Sequence, residues 1–177
     1  MSNKLNDRPA AEARAVLVKN NVRTFPVPIE KIARSLGAEL RFQPMDDELS
    51  GMIYIKDGVP IIGVNALHHP NRQRFTIAHE CGHLMLHRDI ITSAVHVDKD
   101  FPVLMRDTVS SQATNSIEIQ ANQFAAELLM PAELLEKALV EIKFDIDDDK
   151  PIEALAKKVK VSKQALEYRI RNLPSKK

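Results

Sequence analysis

Three histidines and a glutamate stand within one short apolar segment, RFTIAHECGHLMLH, at residues 74–87. In a helix, which turns about 100° per residue, His79 and His83 lie one turn apart on the same stripe. Two neutral imidazoles that reach one point are common ligands of zinc, and Glu80 on the flank could accept a proton from a water held there. The segment therefore predicts a buried helix whose polar stripe opens onto a cleft.

The spacing of the two histidines is weak evidence alone, because such pairs arise often by chance. The adjacent Glu80, in an apolar helix, makes a metal site the favoured interpretation. His87 continues the stripe but lies about 12 Å along the axis from His79, at a rise of about 1.5 Å per residue. We expect His87 to be a satisfied, partly buried histidine. A third histidine six residues after His83 is missing, since that position is Asp89, so another ligand is required.

The segment SIEIQANQFAAELLMP, at residues 116–131, predicts a second helix with an acidic residue in its apolar face. Glu118 lies in the middle of that face, whereas Gln120 and Glu127 fall on the opposite side, which we expect to face solvent. An ionised carboxylate in a core face is costly unless it is paired or bound to a metal. Glu118 is therefore the candidate third ligand.

Neighbours of Glu118 bear on this assignment. Asn122 follows it by one turn and is placed to hydrogen-bond the far nitrogen of a ligand histidine. The small Ala121 would let this helix approach the histidine helix closely. In the alternative interpretation, Glu118 is a core carboxylate that forms an ion pair with an arginine such as Arg72 or Arg74.

The elements that must position these residues change period along the chain. Residues 10–20 and PIEKIARSLG, at 28–37, predict helices, and three β-prone runs follow: AELRFQ, GMIYIK and PIIGVN. The dipeptide Asp57-Gly58 between the last two runs is typical of a hairpin. We therefore expect a small antiparallel three-stranded sheet packed on a helix of residues 71–87, in an α+β fold.

The second half of the chain is predicted to be largely helical. Residues 89–115 predict an irregular loop, long enough to be functional or mobile and able to cover the cleft. Helices are predicted over residues 116–130 and from Pro131 onward, where proline can open a helix. The site therefore depends on two helices separated by this loop.

The C-terminal segment is strongly basic. Residues 150–177 hold nine Lys or Arg against two Glu, whereas the preceding residues hold 16 basic against 22 acidic side chains. Its pattern has the rhythm of a helix-turn-helix capped by Ser162, although Lys160 stands where a glycine is usual. DNA is one candidate partner. We favour packing on the rest of the protein or recognition of a substrate protein, because two short helices make a poor independent DNA reader.

Composition excludes several classes. The chain has 177 residues, 44% of them hydrophobic and 28% charged, as in ordinary globular proteins. No run approaches the roughly 18 apolar residues of a membrane span, and the N-terminal segment does not resemble a signal peptide. Cys81 is the single cysteine, so an internal disulfide is excluded. We therefore expect a cytoplasmic protein without a membrane partner.

The two motif blocks, RFTIAHECGHLMLH and EIQANQFAAELLMP, resemble those of the ImmA/IrrE family, a gluzincin-type branch of the zinc proteases. The likeness covers about residues 10–140 of the sequence. Two positions depart from the family pattern: Gln120, where many members carry Glu, and Cys81, where Leu is common. We expect neither to damage the site, since Cys81 should face the core as a small hydrophobe.

The resemblance implies a zincin-like fold in which His79, His83 and Glu118 hold Zn²⁺ and Glu80 is the general base. It implies a metallopeptidase domain over residues 1–145, followed by the basic helix-turn-helix-like segment at 150–174. Four residues are candidates for stabilising the oxyanion, without a choice between them: Tyr54, His68, His69 and His96. The strand GMIYIK or its partner could accept an extended substrate by β-addition.

Two functions follow as hypotheses. The first is a zinc-dependent endopeptidase that cleaves a protein, which the family suggests is a helix-turn-helix transcriptional repressor of a phage, mobile element or stress circuit. The second is a non-catalytic regulatory or toxin-antitoxin binding module that retains the zinc site. Glu80 favours the enzyme, because a purely structural zinc needs no base and prefers four protein ligands.

Overall fold

The computed structural model describes residues 7–93, 96–99, 108–142 and 150–173, with backbone alone at 92–93, 96–99 and 108–114. The first half of the chain contains α1 (Arg8–Lys19), α2 (Ile29–Ser35), β1 (Glu39–Gln43), β2 (Leu49–Lys56), β3 (Val59–Asn65) and α3 (Pro70–Leu86). The second half contains α4 (Arg88–Ser93), β4 (His96–Lys99), α5 (Thr108–Leu129), α6 (Ala132–Val140), α7 (Lys150–Val159) and α8 (Lys163–Arg171). The described part of the chain is thus an α+β fold, as expected.

Among the described residues, the strands form one four-stranded mixed sheet in the order β1-β3-β2-β4. Strand β2 is antiparallel to both of its neighbours, but β1 runs parallel to β3, with Glu39 opposite Ile61. The predicted three-stranded antiparallel sheet is therefore wrong in strand number and in the direction of β1. Since β2 and β3 are inner strands, the expectation that either adds a substrate strand is also wrong; the edges belong to β1 and β4.

The hairpin between β2 and β3 is confirmed. Asp57 and Gly58 both have positive φ, at 52° and 80°. Positive φ at both central residues gives the mirror-image turn whose twist matches paired strands, and glycine adopts it without steric cost. This turn fixes the register in which Ile53 lies opposite Ile62.

Helix α3 packs between the sheet and α5, and all three contribute to one hydrophobic core. The sheet supplies Ile53 and Ile62, α3 supplies Ile77, and α5 supplies Phe124 and Leu128, each at most 1% exposed. Burying a side chain of this size contributes roughly 1.5–3 kcal/mol. The histidine helix is therefore held on two sides.

The region between α3 and α5 differs in part from the predicted loop. Helix α4 from its second residue onward, strand β4 and the first turns of α5 fall within residues 89–115. The prediction of an irregular stretch is wrong at those residues, while 94–95 and 100–107 lie outside the described part. The start of α5 at Thr108 places two further helical turns before the predicted start at Ser116.

The two C-terminal helices pack on the body of the protein. Leu155, Val159 and Leu166 belong to the same buried cluster as the sheet and α3. Ser162 caps α8, as predicted, with its hydroxyl accepting from the Ala165 amide at 3.1 Å. Nowhere in the described ranges is a helix both long and apolar enough to cross a membrane.

Candidate active site

The structure brings the three candidate ligands to one point. His79 and His83 on α3 are 3% and 1% exposed, and their Nε2 atoms lie 3.0 Å apart. Glu118 on α5 places Oε2 3.1 Å from His79 Nε2 and Oε1 3.4 Å from His83 Nε2. The Glu118 side chain remains 30% exposed, so the cluster is buried on the α3 side and open to solvent beside α5.

Small residues at the crossing of α3 and α5 make this convergence possible. A Cβ added at Gly82 would lie 3.0 Å from the Cα of Ala121 and 3.3 Å from the Cβ of Phe124. The two helices are therefore in contact through their main chains, as the small Ala121 suggested. This separation lets the short carboxylate side chain of Glu118 reach the imidazoles.

Glu80 lies on the side of α3 that faces β2. Its side chain is fully buried, and a Cβ built at Gly51 of β2 would stand 3.6 Å from Glu80 Oε1. The same Cβ would clash with Thr76 Cγ2 at 2.3 Å, so only glycine at position 51 lets the strand approach. The predicted general base is thus buried against the sheet, next to His79 in the sequence of α3.

Asn122 orients one of the histidines. Its Oδ1 lies 3.0 Å from His79 Nδ1. Because a carboxamide oxygen only accepts, His79 donates from Nδ1, and a neutral imidazole then carries its lone pair on Nε2. That lone pair faces His83 and Glu118.

Charge around Glu80 also reaches the neighbouring thiol. Burial raises the pKa of Cys81 far above its ordinary value, and the nearby Glu80 carboxylate raises the pKa further. Cys81 is a free, fully buried cysteine. It therefore stays a neutral thiol and acts as a small apolar residue.

The donor set fits a metal ion. Two imidazole nitrogens and a carboxylate oxygen from His79, His83 and Glu118 lie within 4.8 Å of one another. Nitrogen and oxygen donors of this kind suit zinc, and three protein ligands with an open side are typical of catalytic sites. Within the described residues this is the cluster that could hold such an ion.

The arginines considered as partners of Glu118 have contacts elsewhere. Arg72 donates to the Ser50 hydroxyl at 2.9 Å. Arg74 donates to the Val27 carbonyl oxygen at 2.8 Å and to that of Lys160 at 3.3 Å. Burial lowers the pKa of Arg74, an effect opposed by the charge of Glu30. Arg74 thus ties the histidine helix to the turn before α8.

Two residues expected to face solvent have protein partners: Glu127 is buried, and Gln120 is half-buried. Glu127 is 2% exposed and forms ion pairs with Arg169 of α8 and, at 3.9 Å, with Arg14 of α1. Gln120 places Oε1 3.2 Å from His87 Nε2. Sequence reasoning predicted neither the ion pairs of Glu127 nor the contact of Gln120 with His87, although it placed Glu127 away from the ligands. His87 is a satisfied, partly buried histidine, as predicted, with Nδ1 3.3 Å from His83 Nδ1.

Two of the oxyanion candidates have contacts beside the start of α3. His69 accepts from the Asn71 amide at 3.1 Å and caps the start of α3. His68 Nε2 lies 3.5 Å from Asn65 Nδ2. The side chain of His96 lies outside the described part of the chain, and Tyr54 stays a sequence-based candidate.

A buried helix that carries His-Glu-x-x-His, with a glutamate from a second helix, defines a candidate metallopeptidase. The model of the IrrE N-terminal-like domain, peptidase family M78, matches residues 33–171, and the chain belongs to this family. The resemblance drawn from the two motif blocks is thereby confirmed. The matched range includes the C-terminal helix pair.

One sequence relative and one solved structure are similar to this chain. The radiation response metalloprotease IrrE of Deinococcus deserti is 34% identical over 109 residues, which is 58% of this chain and 33% of that protein. A solved transcriptional regulator of Mycobacterium tuberculosis shares the fold with a TM-score of 0.65 at 20% identity, over 95% of this chain and 47% of that one. This chain thus spans a third of the first relative and about half of the second.

Proposed function

We propose that the protein is a zinc-dependent endopeptidase that cleaves a helix-turn-helix transcriptional repressor of a phage, mobile element or stress circuit. One observation carries the proposal. Two imidazoles and a carboxylate converge within 3.0–3.4 Å of one another beside the buried Glu80. Membership of the M78 family and the likeness to a protein named a metalloprotease support the activity.

The residues have separate roles in this proposal. His79, His83 and Glu118 would hold the zinc ion. When bound, zinc supplies Lewis-acid chemistry, which makes an attacking water more acidic and polarises the scissile carbonyl. The 30% exposure of Glu118 marks the side from which a substrate peptide enters.

Glu80 would move the proton. Its carboxylate accepts a proton from the attacking water and passes it to the nitrogen of the leaving amine. Packing against β2 at Gly51 and full burial restrict its rotamers, so the carboxylate is held for this transfer. Asn122 keeps His79 in the tautomer that directs Nε2 toward the ligand point.

The choice of a repressor as substrate follows from the resemblance of the two motif blocks to the ImmA/IrrE family. A protein that shares the fold is named a transcriptional regulator, which agrees with a role in transcription. We propose a cytoplasmic location, in keeping with the free and buried thiol of Cys81. DNA binding by α7 and α8 is the less favoured partner interaction, since their apolar side chains belong to the shared core.

A cleavage assay tests the proposal. Zinc-loaded protein is mixed with a repressor encoded beside its gene, and the products are identified by mass spectrometry. We expect Glu80→Gln to slow cleavage by about 10²–10⁴-fold while the zinc content stays near one ion per chain. The same substitution at the exposed Glu133 is the matched control and should leave the rate unchanged.

The assay also separates the alternative function. A binding module would form a stable complex with the repressor, with zinc bound and no cleavage by any variant. Cleavage by Glu80→Gln at the wild-type rate would remove Glu80 from the mechanism. If the protein takes up no zinc, the proposed metal site is refuted.

A further inference from the structure

A chain of polar contacts leads away from the second histidine to α5. His83 Nδ1 lies 3.3 Å from His87 Nδ1, and His87 Nε2 lies 3.2 Å from Gln120 Oε1. Gln120 Nε2 in turn donates to the Ser116 hydroxyl at 3.3 Å. The far nitrogen of His83 is thus connected to a carboxamide through one intermediate histidine.

The chemistry of these groups fixes the direction of each hydrogen bond. The Gln120 amide nitrogen is directed at Ser116, so its oxygen faces His87, and a carboxamide oxygen accepts only. His87 must therefore donate from Nε2, and its neutral ring keeps a lone pair on Nδ1. That lone pair can only accept, so the proton between the two imidazoles belongs to His83 Nδ1.

The consequence appears on the other side of the His83 ring. With its proton on Nδ1, His83 carries a lone pair on Nε2, as His79 does through its bond to Asn122. The two Nε2 lone pairs face each other at 3.0 Å beside the Glu118 carboxylate. Lone pairs and a carboxylate repel one another, and a cation between them removes the repulsion.

We propose that His87 and Gln120 are positioning residues that hold His83 in the metal-binding tautomer. Helix α5 then fixes both histidines by carboxamide acceptors, directly through Asn122 and by way of His87 through Gln120. This inference rests on the proposed metal site and deepens it. It assigns a role to two residues that sequence reasoning placed outside the metal site, Gln120 by helical phase and His87 by its distance along the helix axis.

A glutamate at position 120 would keep this role. A carboxylate at position 120 would also accept a hydrogen bond from His87 Nε2. The two residue types share the acceptor and differ in charge. The requirement at this position is therefore an acceptor, which gives a rescue experiment.

Zinc affinity, measured by competition with a chromophoric chelator, tests the proposal. His87→Phe and Gln120→Met each break the relay, the chain of hydrogen bonds from His83 through His87 to Gln120, while they keep a side chain of similar volume. Each should weaken zinc binding roughly tenfold, the usual effect of losing a partner behind a ligand histidine. Gln120→Glu should keep wild-type affinity, and Gln123→Met, on the same helix, is the matched control. Equal affinities in all five proteins would overturn the relay.

Nitrogen-15 NMR of the histidine rings supplies a readout that does not depend on activity. In the zinc-loaded protein we expect the proton of His83 on Nδ1 and that of His87 on Nε2, with the His87 preference lost in Gln120→Met. A proton on His87 Nδ1 in the wild-type protein would refute the proposal. Failure of the wild-type protein to bind zinc would instead refute the proposed function, so the two failures are distinguishable.

Discussion

Helix α5 carries two glutamates, nine positions apart, that illustrate opposite uses of a carboxylate. Glu118 is 30% exposed and faces the imidazoles of His79 and His83. Glu127 is 2% exposed and faces the guanidinium groups of Arg169 and Arg14. Burial is deeper at Glu127, yet its partners neutralise it permanently. The less buried carboxylate, beside neutral ring nitrogens, is the one equipped to hold a cation.

Glu127 therefore belongs to the structure of the fold. Besides its two arginines, it accepts from the Ala132 amide at the start of α6, at 3.4 Å. Arg169 also donates to the Met130 carbonyl oxygen at 3.2 Å. Together these contacts fasten α8 to the junction of α5 and α6. A buried acid is evidence for a metal site only when its partners leave room for one.

The largest effect is expected from breaking the ion pair between Arg169 and Glu127. Arg169→Met leaves Glu127 buried without its main partner and should lower the free energy of unfolding by about 3–5 kcal/mol. For a chain of this size the melting temperature should fall by about 10 °C. The measurement is thermal unfolding followed by circular dichroism.

Lys163→Met on the same helix is the control for that prediction. Lys163 pairs with Glu153 and Glu167, whose side chains are 51% and 35% exposed. Exposed pairs contribute less than about 1 kcal/mol. Equal losses from the two substitutions would contradict the structural role given to Arg169.

The next effect concerns the metal. Glu118→Gln removes the ligand charge and should weaken zinc binding by about 100-fold or more, since lesser changes behind a ligand already cost 10–100-fold. Glu127→Gln should leave zinc affinity near wild type while lowering stability. Chelator competition and thermal unfolding on both variants test the comparison directly, and a larger affinity loss at Glu127 would reverse it.

These outcomes also show what the sequence could predict. The spacing of His79, Glu80 and His83 is a property of one helix, and the position of Glu118 in an apolar face is a property of another. Helical periodicity was therefore enough to predict that His79, His83 and Glu118 come together. The parallel pairing of β1 was not predictable in this way, because alternation identifies a strand without identifying its neighbour. The hairpin could be predicted because the residues that form its turn are adjacent in the sequence.

The error at Glu127 has a physical cause. Helical phase gives directions relative to the apolar stripe, and it assigns the opposite side to solvent. Helix α5 has partners on that side as well: α1 brings Arg14 and α8 brings Arg169 to Glu127. A polar side chain on a helix covered from several directions needs a partner, and the sequence of the helix alone does not show which one.

A smaller effect is expected where α3 crosses α5. The Cβ of Gly82→Ala would stand 3.0 Å from the Ala121 Cα and 3.1 Å from its carbonyl oxygen. Because those atoms are main chain, the helices must separate, at a cost of about 1–3 kcal/mol. Zinc affinity should fall as well, since the ligands come from both helices. A gain in stability, as for an open helical glycine, would contradict this contact.

The smallest effect concerns Cys81 and depends on pH. Its pKa is raised in the folded protein by burial and by Glu80. As pH rises through the ordinary pKa of a thiol, the unfolded state loses the Cys81 proton while the folded state keeps it. The stabilising contribution of the neutral thiol is therefore complete at low pH. That contribution declines above about pH 8.5, by at most about 1.4 kcal/mol per pH unit. Urea unfolding of wild type and Cys81→Ala at pH 7.5 and 9.5 should show the difference; parallel pH profiles would refute it.

The glycines at 51 and 82 have a consequence for the evolution of the site. At each position α3 contacts a neighbouring element, and the glycine places no side chain between them. Gly51 of β2 faces the Thr76 methyl group, and Gly82 of α3 faces the main chain of Ala121. The distances from α3 to β2 and to α5 are therefore limited at these points by main-chain atoms and by the Thr76 methyl group. Residues that surround the cleft can therefore vary without moving these two contacts, whereas positions 51 and 82 require glycine.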